Sequence, residues 1–241
     1  MPAEKTEIVI LLIHMKALVF KTPKSAEIIK TVEAHGLEVV SENPDIVISY
    51  GGDGTLMRSE HMYPGIPKLP LRASAVCKLC SLISNDEALE KVSQKKYSIE
   101  EFWKLNVTAR GATYVGVNDV IVHNKDPRHA IRYDVSVNNK KILQGVIGDG
   151  VVVATPFGST GYYRSITDSY FEVGMGLAFN NSTEQSDHIV LKENSVVRIT
   201  IARGPAIVYV DNRKESIELG DGDFAEIKKS DQVAKIVRVV S

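Results

Sequence analysis

The chain has 241 residues, with 29 basic against 30 acidic side chains, a formal charge of −1, and 44% hydrophobic and 24% charged residues. A folded chain of this length buries roughly 70% of its unfolded surface, which excludes disorder as the main state and fits one large domain or two modest ones. Balanced charge excludes a global positive field for nucleic acid or an anionic membrane surface, so any anionic ligand has to be gripped locally.

The first apolar run, Ile8 to Ile13, is followed by His14 and Lys16. It falls short of the roughly 20 residues that cross a bilayer and lacks the basic start and cleavage site of a signal peptide. The expectation is a soluble cytoplasmic protein. Met15 to Phe20 reads like a natural beginning, a start residue opening a buried strand, which leaves residues 1–14 as an extension or an extra strand.

Ala17 to Phe20 is predicted as a strand. Ser25 to Ala34 has apolar residues at Ile28, Ile29 and Val32, the spacing of a helix, and His35-Gly36 is a C-terminal stop. Leu37 to Val40 is a second strand, and Ile46 to Tyr50 is a continuous apolar strand running into Gly51-Gly52-Asp53-Gly54-Thr55, after which Leu56 to His61 opens a helix. This rhythm predicts an α/β unit with a parallel sheet. Pro64, Pro67 and Pro70 punctuate the segment after that helix. Cys77 and Cys80 form a lone C-x-x-C without further ligands at metal spacing, so buried, inert thiols are expected. Asn85 to Val92 is another helix, with Asp86 and Glu87 in its first turn.

After about residue 100 the pattern changes to short β-branched segments, among them Val120 to Val122, Ile131 to Val137, Val151 to Val153, Val197 to Ile201 and Ile236 to Val240. These predict a β-rich, sandwich-like domain. Asn138-Asn139 is a hairpin signal, because asparagine tolerates positive φ. The expected domains are 1–97, α/β and carrying the glycine turn, and 98–241, β-rich, with the last strand a candidate to return to the first domain.

The glycine turn is the strongest chemical feature. Gly51, Gly52, Gly54 and Thr55 follow a buried strand, so their backbone can approach a ligand closely and turn N–H groups toward an anion. A carboxylate makes little sense against phosphate, but Asp53 suits a hydroxyl that is to be phosphorylated, whose proton it can accept. A second candidate runs from Gly148-Asp149-Gly150 through Thr155-Pro156 to Gly158-Ser159-Thr160-Gly161-Tyr162 and Ser165. Its hydroxyls and amides suit phosphate or ribose oxygens, and Tyr162 offers a flat face for a base. Gly220-Asp221-Gly222 repeats the tripeptide between two short β runs with nothing chemical after it, and is read as a hairpin turn.

The GGDGT turn, Asn118-Asp119 opening a strand, the run from Gly148 to Ser165 and Val210-Asp211 occur in the order found in the NAD kinase family, which the chain resembles over roughly residues 15–240. GGDGT alone is shared with 6-phosphofructokinases and with lipid kinases; the G-D-G-x-x-x-x-T-P-x-G-S-T-x-Y arrangement is far more specific. The resemblance implies phosphorylation of the adenosine ribose 2′-hydroxyl of NAD to give NADP, with ATP or polyphosphate as donor and a divalent metal ion, magnesium expected, on the phosphates rather than on protein ligands. It implies that Asp53 acts as general base or positions the hydroxyl. It also implies that Asp53, Gly54, Asn118, Asp119, Asp149, Thr160, Gly161, Tyr162 and Ser165 bind NAD, while Gly51, Gly52, Gly54, Thr55 and Arg58 face the donor phosphates. The implied fold is the family's two-domain architecture, and the implied assembly a homodimer or homotetramer. The chain departs from the family pattern at Arg72–Cys77, at 167–181, and at Asp211-Asn212-Arg213. The alternatives are another GGDGT kinase acting on a lipid or sugar, or a catalytically silent NAD- or NADP-binding module.

Overall fold

A computed structural model describes residues 15–73, 77, 79–184 and 187–239; the expectation for residues 1–14 lies outside them. The first part contains β1 (Lys16–Val19), α1 (Ser25–Ala34), β2 (Glu38–Val39), β3 (Ile46–Gly51), α2 (Asp53–Met62), β4 (Lys68–Arg72) and α3 (Asn85–Ser93). β1 lies parallel to both β2 and β3, and β3 parallel to β4. Apolar spacing sets these elements. Ile28 and Val32 are the buried side of α1, Ile46 to Ile48 are buried in β3, and the Ser84 hydroxyl caps α3 by accepting the Glu87 N–H at 3.1 Å.

β4 falls where the sequence shows only proline punctuation. Pro70 is tolerated because, beyond β3, β4 has a single register pair, Lys68 with Ile236, and the missing N–H leaves no ladder bond open. Past that pair, the Asn85 side chain stands in for a strand, accepting from the Arg72 N–H at 2.9 Å and donating to the Arg72 carbonyl at 2.9 Å. α2 also begins three residues before the helix expected from Leu56, so Asp53 sits in its first turn. Cys77 and Cys80 are buried as expected but are not thiols: their Cα atoms lie 5.4 Å apart and they form a disulfide.

The remainder is β-rich: β5 (Ser98–Ala109), β6 (Ala112–Gly116), β7 (Asp119–Asn124), β8 (Ile131–Val137), β9 (Lys140–Gly148), β10 (Gly150–Ala154), α4 (Tyr162–Thr167), β11 (Met175–Asn180), β12 (His188–Leu191), β13 (Val197–Arg203), β14 (Ala206–Val210), β15 (Ile217–Leu219) and β16 (Phe224–Arg238). Among the described residues one sheet has six strands in the order β12-β11-β10-β7-β14-β15. The other has ten, with the path β2-β1-β3-β4-β16-β13-β8-β9 and β5 and β6 beside β16. Thus β16, which pairs with β4, β5 and β13, makes one sheet continuous through both parts.

The sandwich core lies between the sheets. Val120, Val122, Val151, Val153 and Leu177 meet Val107, Tyr133, Val135, Ile199 and Ile227 in one buried cluster, and burying each Val, Leu or Ile contributes about 1.5–3 kcal/mol. Asn138 and Asn139 take φ of +50° and +63° in the β8–β9 hairpin. Gly220-Asp221-Gly222 is not a hairpin turn, because β15 belongs to the six-stranded sheet and β16 to the ten-stranded one; the turn carries the chain from one sheet to the other. No helix of the described residues is long and apolar enough to cross a membrane.

Candidate functional site

The end of β3 delivers Gly51 and Gly52 to the start of α2, and this turn opens onto a cleft of about 630 Å³. Its walls include Gly51, Gly52, Gly54, Thr55 and Arg58, together with Lys24, Asn212 and Lys214. The three cations and the positive end of α2 make the cleft attractive to an anion without any global positive charge. Lys24 donates to the Ala73 carbonyl at 3.2 Å, and exposed Arg58 reaches back to the Gly54 carbonyl at 3.4 Å. Asp53 is half-buried between cleft-lining Gly52 and Gly54 without lining the cleft itself, and its Oδ1 accepts the Leu79 N–H at 3.5 Å.

A second group forms where β7, β10 and α4 converge. Asp119 starts β7 opposite Ala154, and burial together with the Asp211 carboxylate pushes its pKa up to about 7. Asn118, just before it, has a buried side-chain oxygen with no hydrogen-bond partner, an acceptor suited to a ligand donor. The Asp149 carboxylate accepts from the carboxamides of Asn124, at 3.1 Å, and Asn181, at 2.6 Å. Tyr162 opens α4, and its hydroxyl accepts from Asn180 at 3.1 Å. Burial, then the Asp149 and Asp119 carboxylates, raise the Tyr162 pKa. Gly161 and Ser165 are exposed on α4 and its approach, and Ser165 is turned to the Tyr162 carbonyl.

The turn before α4 is held tightly. The Thr155 hydroxyl donates to the Val117 carbonyl at 2.6 Å and accepts the Gly158 N–H at 3.1 Å. A Cβ at Gly158 would lie 2.2 Å from the Asn118 carbonyl oxygen, so only glycine lets the Ser159-Thr160 turn approach Asn118 this closely.

Asp211 and Asn212 join the two groups. The fully buried Asp211 carboxylate accepts the backbone N–H groups of Val117, Asn118 and Asp119 at 2.8, 2.8 and 3.1 Å, and pairs with His61 Nε2 of α2 at 2.9 Å. Asn212 donates to the Gly54 carbonyl at 2.9 Å. The segment that departs from the family triplet therefore ties the glycine turn to the Asn118-Asp119 turn. Sequence reading missed Lys24, Lys214 and Asn212 in the cleft, and Asn124, Asn180 and Asn181 around Asp149. A carboxylate at the end of an apolar strand was the one available signal, at Asp211.

A glycine-turned α/β unit with a cationic cleft, tied to a β sandwich that presents paired carboxylates and an aromatic ring, is the frame of a nucleotide-binding protein. Residues 117–239 match the family model described as the ATP-NAD kinase C-terminal domain. The chain is 28% identical over 223 residues to an NAD kinase of Ruminiclostridium cellulolyticum, covering 84% of this chain and 76% of that one. Its fold is similar to that of an NAD kinase from Archaeoglobus fulgidus in complex with ATP, at a TM-score of 0.77 and 21% identity, covering 93% of each chain. It is also similar to that of a yeast NADH kinase complexed with NADH, at a TM-score of 0.81 and 16% identity, covering 94% of this chain and 84% of that one. The chain belongs to the NAD kinase family.

Proposed function

We propose that the protein transfers the γ-phosphoryl group of ATP to the adenosine ribose 2′-hydroxyl of NAD, giving NADP and ADP. The observation that carries this reading is the junction at Asp211-Asn212. It ties a cationic glycine-turn cleft, suited to a triphosphate, to the turn that carries Asn118 and Asp119, which with Asp149 and Tyr162 form a polar group suited to a dinucleotide. Gly51, Gly52, Gly54 and Thr55 would cradle the triphosphate, Lys24, Arg58 and Lys214 would offset its charge, and a magnesium ion carried on the phosphates would supply further charge neutralisation.

NAD lies against the second group. Asn118 and Asp119 hydrogen-bond a ribose and base, Asp149 meets the nicotinamide side, and Thr160 to Ser165, with the Tyr162 ring, line the adenosine pocket. Asp53 takes the proton of the 2′-hydroxyl as its oxygen bonds to the γ-phosphorus and the bond from that phosphorus to the ADP oxygen breaks. Asp119, protonated in part near neutral pH, donates as well as accepts, which suits a ribose hydroxyl. Little covalent machinery is needed, because positioning and charge neutralisation supply most of the rate in phosphoryl transfer.

The test is a screen of ATP and polyphosphate donors against NAD, NADH, diacylglycerol and sugar acceptors, with products identified by mass and ³¹P resonance. NADP formation with a 2′-phosphate is the expected result. Phosphorylation of a lipid or sugar with NAD untouched would overturn the reading, as would NAD binding without turnover under any donor.

A further inference from the structure

Below the far end of α2 lies a charge arrangement that the proposed reaction does not use. Glu60 is 2% exposed, and both Lys68, at 0%, and Lys104, at 3%, pair with its carboxylate. Lys68 donates to Glu60 at 2.5 Å and to the carbonyls of Tyr63 and Ile66 at 2.6 Å each, so its three acceptors match the three protons of an ammonium group. Burial lowers the Lys68 pKa while the Glu60 carboxylate opposes that shift. With Lys68 charged, two ammonium groups share one buried carboxylate, leaving one unit of positive charge uncompensated. A buried charge without a counter-charge is costly, and an anion beside it relieves that cost.

There is room for one. Lys104 has Glu60 as its only hydrogen-bond partner among the described residues, which leaves two of its protons undonated. It lines a cavity of about 290 Å³ with His61, Thr113, Arg213 and Gln232, and the Glu60 carboxylate reaches the same wall, where Lys68 and Lys104 both offset its charge. Arg213 brings a second cation. Its Nε is buried without a hydrogen bond, its guanidinium lies over the Tyr114 ring at 4.9 Å, and its ion pair with Glu215 is long, at 3.6 Å, to a side chain that is itself exposed. Thr113, whose hydroxyl shares a hydrogen bond with Thr108 at 3.1 Å, and Gln232 add neutral polar groups, and among the described residues β6, which carries Thr113, pairs only with β5. The cavity is large enough for a tetrahedral oxyanion with some water around it.

We infer that this cavity is a binding site for a phosphate-class oxyanion, held by Lys104 and Arg213 at the end of α2 opposite the glycine turn. His61 joins its wall to Asp211, so an occupant sits one hydrogen bond away from the residue that orders the Asn118-Asp119 turn.

The test is thermal unfolding with orthophosphate replacing chloride at constant ionic strength, on the full chain and on Lys104→Met, Arg213→Gln and Arg58→Gln. Lys104→Met leaves Glu60 and Lys68 as a balanced pair, so the variant is expected to fold with an unchanged or higher Tm in chloride and to lose the rise in Tm that phosphate gives the wild type. Arg213→Gln should need about tenfold more phosphate for the same rise, and carries the test if Lys104→Met fails to fold. Arg58→Gln, which alters the glycine-turn cleft alone, should keep the part of the rise that Lys104→Met abolishes. Crystals soaked in selenate should show the anion within hydrogen-bond distance of Lys104 Nζ. A phosphate response undiminished in both Lys104→Met and Arg213→Gln, a response lost in Arg58→Gln, or selenate found only at the glycine turn would overturn the inference.

Discussion

Gly148-Asp149-Gly150 and Gly220-Asp221-Gly222 have the same three residues and do different work. At the first, β9 passes into β10 against packed strands: Gly150 has φ of +148°, and a Cβ there would lie 2.0 Å from the Val122 carbonyl oxygen. Asp149 is held by two carboxamides and shares its surroundings with Tyr162. At the second, Gly220 has no atom closer than 3.7 Å to an added Cβ and Gly222, at φ of +84°, faces open space. Asp221 only accepts the Gly204 N–H, at 2.7 Å. A glycine-flanked aspartate is therefore a local turn device in one place and a tightly packed mount for a polar side chain in the other. What surrounds the tripeptide decides which.

Substitutions separate the two, starting with the largest effect. Gly150→Ala should cost at least about 3 kcal/mol or prevent folding, since both the φ and the contact with Val122 oppose it. Denaturant melts will measure this, and a cost below about 1 kcal/mol would erase the contrast.

Next comes the pH dependence of the site that Asp149 shares. The folded pKa of Asp119, at about 7, is above the ordinary carboxylate value, so the folded state holds the proton more tightly than the unfolded chain. The stabilisation is fully present below about pH 4 and is lost as the pH rises through 7, on the order of 4 kcal/mol in all. Stability curves of the wild type and Asp119→Asn from pH 4 to 8 should diverge by that amount, and parallel curves would show that Asp119 is an ordinary carboxylate.

Asp149→Asn should raise KM for NAD about tenfold by removing charge-assisted hydrogen bonding. Asp221→Asn should leave KM within about twofold and cost only the roughly 1 kcal/mol of one turn hydrogen bond. Gly222→Ala should cost about 1 kcal/mol through its positive φ alone. Gly220→Ala should stay within about 0.5 kcal/mol, the smallest effect of the set.

The same contrast explains what the sequence made legible. Apolar period and glycine placement announced β3, the turn at Gly51 and the helix after it, because those features are local. The order of Asn118-Asp119, Gly148 to Ser165 and Val210-Asp211 carried the fold of the second part through its resemblance. β4 was hidden because Pro70 is admissible only where the neighbouring ladder ends, which depends on β16, more than 150 residues later. The turn at 220–222 looked like a hairpin because the sheet each flanking strand joins is a tertiary fact. Lys24 and Lys214 are ordinary surface lysines in sequence, and only folding brings both to the glycine turn. The disulfide at Cys77 and Cys80 requires their Cα atoms to come within bonding reach, which two cysteines in sequence do not specify.

The central claim is that Asp53 and the Asn118–Tyr162 group act on one substrate. The direct measurement is NADP formation from NAD and Mg–ATP by the wild type and by Asp53→Asn, with NAD affinity measured calorimetrically on both. Loss of the base should lower kcat by about 10² or more while changing NAD affinity less than about threefold. An Asp53→Asn protein that retains turnover within tenfold of the wild type, or whose loss is accounted for entirely by weaker NAD binding, would contradict it.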